Sequence, residues 1–451
     1  MRRAIGPALL GASLVQCFAV PERGCEDESG LYVAYHVCMP SAGFELGVQK
    51  LILDLKRADF DGEGIANDLA GLAYIVDPAN PENTQASAAI VRVRRQLGAP
   101  QLEELAVPVG TVDVTPVHLG SSQQSLAYAI DDSYGAATGK IELRINSNGV
   151  FTEPVTGDLD NLLQQGCRAP SDVTTLSDEP VVLVTCERED APDEPVAFGR
   201  ADIGVVYLVP FVESGGNGLF FYGLEEDEVD GVHGTQLFDG DGEADGPLFG
   251  AAISKPTAGD GATAQNLEHD KVVIVQLKEA DDMPGMDKPD MAPMATVRLE
   301  DGPIEDLYSG QLDGEGTIEL ISRHQDRGYL RILQQREPGS LSFGVVGEPL
   351  EVSQPLDVAV GDFTGDGAVD IAVAYAEADV AKLGVFIRAP DRDEFEFGFA
   401  EMGGVGEREL ATAIEALDVD DDGALDLAVA VATEDVGTEI RVFLNRAAGP
   451  R

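Results

Sequence analysis

A short acidic loop recurs along this chain, each time running directly into a stretch of small and branched apolar residues. Its clearest copy is Asp362-Phe-Thr-Gly-Asp366-Gly-Ala-Val-Asp370, followed by Ile-Ala-Val-Ala-Tyr. It returns as Asp418-Val-Asp420-Asp-Asp422-Gly-Ala-Leu-Asp426 before Leu-Ala-Val-Ala-Val, and as Asp59-Phe-Asp61-Gly-Glu63-Gly-Ile-Ala-Asn67 before Asp-Leu-Ala-Gly-Leu-Ala-Tyr. Oxygen-bearing side chains at alternate positions, with glycine at the bend, are what a hard cation asks of one short stretch of backbone, so calcium is the expected ligand. The loop is not an EF-hand. Its twelfth position falls on Val373, Val429 or Ala70, where that motif needs a bidentate Glu. The apolar runs behind the loops, and second runs such as Leu383–Ile387 and Ile440–Leu444, have the length and β-branched content of buried strands.

Anchoring each copy at its last loop position places further units along the whole chain, at Asn67, Ser125, Pro180, Asp245, Glu319, Asp370 and Asp426. The fourth unit reads Leu237-Phe-Asp239-Gly-Asp241-Gly-Glu-Ala-Asp245 and the fifth Gln311-Leu-Asp313-Gly-Glu315-Gly-Thr-Ile-Glu319; both keep most of the oxygens and lose the first. The second and third keep a strand, Leu126–Ile130 and Val181–Thr185, and lose the acids. Strand-rich units of roughly 40–50 residues cannot bury both faces of one small sheet until neighbours stack on it, which is the signature of a propeller. The expected fold is all-β, a seven-bladed β-propeller of four-stranded antiparallel blades over residues 51–451.

On these loops and strands the sequence resembles the FG-GAP or VCBS repeat family, calcium-binding β-propellers like the head of integrin α-subunits. The resemblance implies calcium held by alternate acidic positions, a main-chain carbonyl and the closing acid. Matched position by position, it implies Asp362, Thr364, Asp366 and Asp370; Asp418, Asp420, Asp422 and Asp426; and Asp59, Asp61, Glu63 and Asn67. Weaker sets are Asp239, Asp241 and Asp245, and Asp313, Glu315 and Glu319. Asp/Gly clusters are also ordinary turn chemistry, and repetition with constant spacing is what sets these loops apart from plain hairpins.

Eighty-one acids against thirty bases give a formal net charge of −51, while hydrophobic residues make up 44%, so the chain has a core to bury despite its charge. Such a surface repels nucleic acid and anionic headgroups. The first residues read as an export signal, Arg2-Arg3 and then an apolar stretch from Ala4 to Val15 that is too short to span a bilayer. Leu14-Val-Gln-Cys17 approximates a bacterial lipobox, giving a signal peptide over 1–16 and a lipid on Cys17; cleavage after Ala19 is the alternative. Either way the protein is expected outside the cytoplasm, as a surface lipoprotein or secreted, touching membrane only through that lipid. Cys25, Cys38, Cys167 and Cys186 then remain, and nearness in sequence suggests bridges Cys25–Cys38 and Cys167–Cys186 in an oxidising compartment.

Catalytic patterns are sparse. The five histidines show no His-Glu-x-x-His spacing, and neither a nucleophile elbow nor a phosphate-binding loop occurs. Asp281 to Met294 holds four of the seven methionines between prolines and is expected as a flexible surface insertion near 278–296 rather than a copper site. The expected function is a monomeric binding or adhesion module for a protein or glycan; the alternative is a calcium-stabilised propeller enzyme acting on polysaccharide, a lyase or hydrolase. Unit seven runs out of chain before its outer strand. The segment 17–50 is expected to supply one, with Leu31–Val37 as the candidate pairing with residues 440–445.

Overall fold

In the computed structural model of the chain, each apolar run behind a loop is the second strand of a four-stranded antiparallel sheet. The structure describes residues 45–48, 51–62, 66–75, 85–92, 101–119, 122–131, 139–158, 169–175, 181–188, 199–208, 212, 219–229, 231–237, 248–254, 270–277, 291–299, 303–313, 317–337, 342–378, 380–388, 395–406, 409–419, 423–433 and 437–445. In chain order, blade one is Leu51–Ala58, Asp68–Ile75, Gln85–Arg92 and Gln101–Val107, and blade two is Thr111–Val117, Ser125–Ile130, Lys140–Arg144 and Val155–Asp158. Blade three is Ala169–Thr175, Val181–Arg188, Gly199–Tyr207 and Leu219–Val229; blade four is Gly231–Leu237, Leu248–Ser254, Asp270–Leu277 and Met291–Leu299. Blade five is Asp306–Gly310, Glu319–His324, Tyr329–Gln335 and Phe343–Glu351; blade six is Pro355–Gly361, Asp370–Glu377, Val380–Arg388 and Phe397–Gly406. Blade seven takes Glu409–Leu417, Asp426–Thr433 and Gly437–Phe443, and its fourth strand is Glu45–Val48.

The first strands of successive blades pack side by side, and that of blade seven returns against that of blade one, so they line a closed central channel. The expected seven-bladed propeller is the observed fold, including blades two and three, which carry no acidic loop. Closure is sealed by the pairing of Glu45–Val48 with Thr438–Arg441. This strand lies downstream of Leu31–Val37, which falls outside the described residues. Across the same seam, Thr412 Oγ1 donates to Ile52 O at 2.5 Å and Ile52 N–H donates to Thr438 Oγ1 at 3.1 Å. Of the expected insertion near 278–296, residues 278–290 lie outside the described residues. Met291–Leu299 is the outer strand of blade four, where Pro293 sits at a register shift opposite Val275; an edge strand can spare the missing N–H.

Why the second strands read as nearly continuous apolar runs is clear from the packing. Successive side chains of a strand point to opposite faces, and in a propeller both faces meet a neighbouring blade. Ile371, Val373 and Tyr375 pack toward blade five, while Ala372 and Ala374 pack toward blade seven. Leu427, Val429 and Val431 likewise meet blade six, and Ala428 and Ala430 meet blade one. Among the described residues the core therefore falls into seven apolar clusters, one at each blade boundary.

Five first strands carry a register shift, at Leu53, Val112, Ser171, Leu356 and Thr412. An extra residue there bends the strand and re-aims the side chain that follows. In four of the five that side chain is an aspartate: Asp54, Asp113, Asp172 and Asp357. Gly71 on the partner strand makes room for one of these bulges, because a Cβ at that position would lie 2.8 Å from Asp54 O.

Ile52 is fully buried at the seam between blades seven and one, whereas Leu53, next to it, is 48% exposed. Ile52→Ala is expected to cost about 2–5 kcal/mol. Leu53→Ala should stay within about 0.5 kcal/mol. Denaturant midpoints measured at equal slope check the pair, and comparable losses in both variants would contradict the seam packing.

Candidate metal centre

The acidic loops join the first strand to the second in blades one, five, six and seven, so all of them sit at one end of the ring. Blade six shows how such a loop is held. The buried Asp370 opens the second strand, and its Oδ2 accepts the N–H groups of Phe363 at 3.1 Å and Thr364 at 3.2 Å. Asp362 Oδ1 accepts from Gly365 at 2.7 Å and its Oδ2 from Gly367 at 2.9 Å, while Asp366 Oδ1 accepts from Ala368 at 2.8 Å. Gly367, at φ 87°, takes a left-handed bend that a side chain would strain. The four expected residues of this loop, Asp362, Thr364, Asp366 and Asp370, lie on one turn, but among the described residues only the blade-one acids bring three carboxylate oxygens within 4.8 Å of one another. Burial pushes the Asp370 carboxyl up to about 7, opposed by the Arg388 N–H and reinforced by Asp366.

Blade seven repeats the frame. Asp426 Oδ2 accepts the Val419 N–H at 2.9 Å, Asp418 Oδ2 accepts the Gly423 N–H at 2.9 Å, and Gly423 has φ 84°. Asp420 and Asp422 lie outside the described residues, as do Glu63, Glu315, Asp239, Asp241 and Asp245.

In blade one the closing position is Asp68 rather than Asn67. The second strand begins at Asp68, whose Oδ2 accepts the Phe60 N–H at 2.8 Å, the bond that Asp370 makes to Phe363 and Asp426 to Val419. The loop is one residue longer than its relatives, so counting from the strand rather than from Asp59 finds the equivalent acid. Asp59, Asp61 and Asp68 each offer a carboxylate oxygen, all within 4.8 Å of one another. Asn67 is 1% exposed, and its Oδ1 has no hydrogen-bond donor. Three carboxylate oxygens this close together fit a hard cation, which takes oxygen ligands.

Blade five solves the same crowding with its own donors. Glu319 Oε2 accepts the Leu312 N–H at 2.6 Å, and Thr317 Oγ1, with one proton to give, lies 2.7 Å from Glu319 Oε1 and 2.5 Å from Asp313 Oδ2. Gln334 Nε2 adds a donor to Asp313 Oδ2 at 2.7 Å. The hydroxyl and the amide supply N–H and O–H where a cation would supply charge.

A second set of carboxylates, which sequence reasoning missed, faces the channel. Lys56 Nζ is gripped by both oxygens of Asp113 at 2.8 and 2.7 Å and lies 3.4 Å from Asp54 and 3.9 Å from Asp172. Asp113 Oδ2 also accepts the Val173 N–H of blade three at 2.8 Å, and Asp357 Oδ2 accepts the Ile414 N–H of blade seven at 2.7 Å. Tyr308 donates to Asp357 at 2.8 Å and stands 3.0 Å from Asp306, which Arg323 approaches at 3.5 Å. These carboxylates stitch first strands together across blade boundaries. One signal was legible: an aspartate stands five residues before the first loop position at Asp54, Asp306 and Asp357.

A family model described as FG-GAP-like repeat matches residues 311–373, which span the loops of blades five and six. That match and the seven-bladed ring together support the FG-GAP propeller family. No curated protein matches the chain.

The channel acids set a pH dependence. Enclosure in the channel wall pushes Asp54, Asp113, Asp357 and Glu415 up to about 7; Lys56 opposes this for Asp54 and Asp113, the Ile414 N–H for Asp357, and Arg57 for Glu415. Unfolded, these groups titrate near 4, so between the two values the folded chain binds more protons. Their contribution to stability is therefore full below about pH 4 and is lost as pH rises through about 7. In chelator, the melting temperature should fall between about pH 5 and about pH 8, and Asp54→Asn should flatten part of that slope. A melting temperature that rises over this range would count against the channel assignment.

Proposed function

We propose that the chain is a calcium-braced propeller whose role is binding or adhesion, toward a protein or a glycan. The observation that carries the calcium is the blade-one loop, where Asp59, Asp61 and Asp68 each bring a carboxylate oxygen within 4.8 Å of the others. FG-GAP repeats commonly bind calcium, and the frames of blades six and seven repeat the same hydrogen bonds around Asp370 and Asp426. The ion would be held by Asp59, Asp61 and Asp68 in blade one, by Asp362, Thr364, Asp366 and Asp370 in blade six, and by Asp418, Asp420, Asp422 and Asp426 in blade seven. What it supplies is positive charge at loops whose carboxylates otherwise repel one another. Blade five, with its acids already satisfied, is left out of this reading.

Binding is favoured over catalysis by how the channel groups are used. A hydrolytic or lytic site needs groups free to meet substrate, whereas Asp357 and Asp113 are engaged in bonds between blades. Export by the N-terminal segment, with a lipid on Cys17 or release after Ala19, completes the reading. Cys186 is buried opposite Pro170, three residues from Cys167, which supports the pairing Cys167–Cys186.

Each ion that binds only the folded chain adds about 2.7 kcal/mol at a hundredfold excess over its dissociation constant. EGTA should therefore lower the melting temperature. Asp68→Ala, Asp366→Ala and Asp422→Ala should each remove part of the calcium-dependent increment, while Asp313→Ala should leave it intact. A melting curve unmoved by EGTA sinks the calcium reading, and a glycan array run with and without calcium tests the binding role.

A further inference from the structure

The buried carboxyl of Asp113 is held from several sides at once. Its Oδ1 accepts the Val114 N–H at 2.7 Å, and its Oδ2 accepts the Val173 N–H of blade three at 2.8 Å. The Lys56 Nζ of blade one stands 2.8 and 2.7 Å from the same two oxygens. Asp54, two residues before Lys56, brings Oδ2 to 3.4 Å from Nζ and shares a hydrogen bond with Asp113. Val173 O at 3.2 Å and Asp172 at 3.9 Å complete the surroundings of the amine. An amine, a carboxyl resting on two backbone N–H groups and a second carboxyl touching both are the parts of an acyl transfer: nucleophile, oxyanion donors and proton carrier.

Blades five and six repeat the frame with one part changed. Asp357 Oδ1 accepts the Val358 N–H at 2.8 Å, and its Oδ2 accepts the Ile414 N–H of blade seven at 2.7 Å. Asp306 stands where blade one has Asp54, and Tyr308, two residues on, stands where blade one has Lys56. The Tyr308 hydroxyl lies 2.8 Å from Asp357 and 3.0 Å from Asp306. A phenol completes that cradle as a hydrogen-bond donor. At Asp113 the group in its place is a primary amine, whose nitrogen forms a stable amide with a carboxyl.

We propose that Lys56 and Asp113 are joined by an isopeptide bond that the folded chain forms on its own, closing the boundary between blades one and two covalently. The Lys56 nitrogen bonds to Asp113 Cγ, one C–O bond breaks, and that oxygen leaves as water with the two protons the ammonium gives up. Asp54 carries them across. An ammonium and a carboxylate become a neutral amide, so the net charge is unchanged and no oxidant or cofactor enters. As the nitrogen adds, the Val114 and Val173 N–H groups stabilise the charge that gathers on the carboxyl oxygens. Between free groups in water this condensation runs backwards, whereas fixed contact supplies effective concentrations of about 10⁵–10⁸ M. Burial favours the neutral Lys56 amine, but the carboxylates of Asp113, Asp54 and Asp172 outweigh it and keep the proton on nitrogen. The amine is therefore freed by transfer inside the cluster, where burial pushes both acceptors, Asp54 and Asp113, up to about 7 against the pull of Lys56. The bond is independent of the calcium reading, since none of the three residues belongs to an acidic loop.

Intact mass of the reduced, denatured full chain tests this. The parent should weigh one water less than its sequence, and proteolysis should release a single branched peptide carrying Lys56 and Asp113. Lys56→Arg should keep the full mass. Asp113→Asn should lose ammonia in place of water, because the same carbon is attacked. Timed from cell-free synthesis, Asp54→Asn should form the bond about a hundredfold more slowly or worse, the lower end of what a positioned proton carrier contributes. A parent of full mass, with Lys56 and Asp113 on separate peptides, overturns the bond, as does a water lost equally by Lys56→Arg. An Asp54→Asn chain that links as fast as the parent overturns the role given to Asp54. Should a variant fail to fold, the parent's mass and its branched peptide decide alone.

Discussion

No blade of this protein can bury its own faces, and the rest of the structure follows from that constraint. The apolar clusters lie between sheets rather than within them, one at each boundary, so a blade becomes stable only when both neighbours are in place. The requirement explains why the second strands are apolar on both faces and why alanine alternates with larger residues in them. It also explains why the last blade borrows Glu45–Val48. An open edge on blade seven would expose a ladder of unpaired backbone groups at the one place where the ring must meet itself.

With the core confined to the boundaries, buried polar groups collect at the loop end of the blades and along the channel. Both places are crowded with acids, in a chain whose formal charge is −51. The channel answers with Lys56 among Asp54, Asp113 and Asp172, and with carboxylates that accept backbone N–H groups from the neighbouring blade. The loops answer in two ways. Blade five recruits Thr317 and Gln334 as donors, whereas blade one brings oxygens of Asp59, Asp61 and Asp68 within 4.8 Å of one another.

Much of this was legible in the sequence because the repeat is a physical unit. The loop-then-strand pattern fixed the blade count, and spacing alone found blades two and three, where the acids are gone but the apolar alternation survives. What was not legible depends on register. A single extra residue in the blade-one loop moved the closing acid from Asn67 to Asp68, and only the bond to Phe60 reveals which of the two is equivalent to Asp370. The bulges that turn Asp54, Asp113, Asp172 and Asp357 toward the channel also escape one-dimensional reading, since a bulge shifts the strand's period-two pattern by one. The ring-closing strand was expected upstream of blade one; which residues form it was set by pairing with Thr438–Arg441, not by apolar content.

Loops and channel respond to charge in opposite ways, and the contrast says where the fold is tunable. A channel acid is pushed up by burial, against the Lys56 ammonium and the backbone N–H groups that favour its charged form. A closing acid such as Asp370 is pushed up by the same burial, yet it already accepts three backbone N–H groups, which favour its charged form. A divalent ion beside it would tip that balance to the carboxylate, because the charge of the ion outweighs the cost of burial. The same carboxylate accepts the N–H of Arg388, whose guanidinium donates to Leu312 O in the loop of the preceding blade. Protonation therefore acts through the first strands, while a cation at the loops would act on the turns that Asp370 and Asp426 hold. A propeller built this way can stiffen its loop face without changing its core.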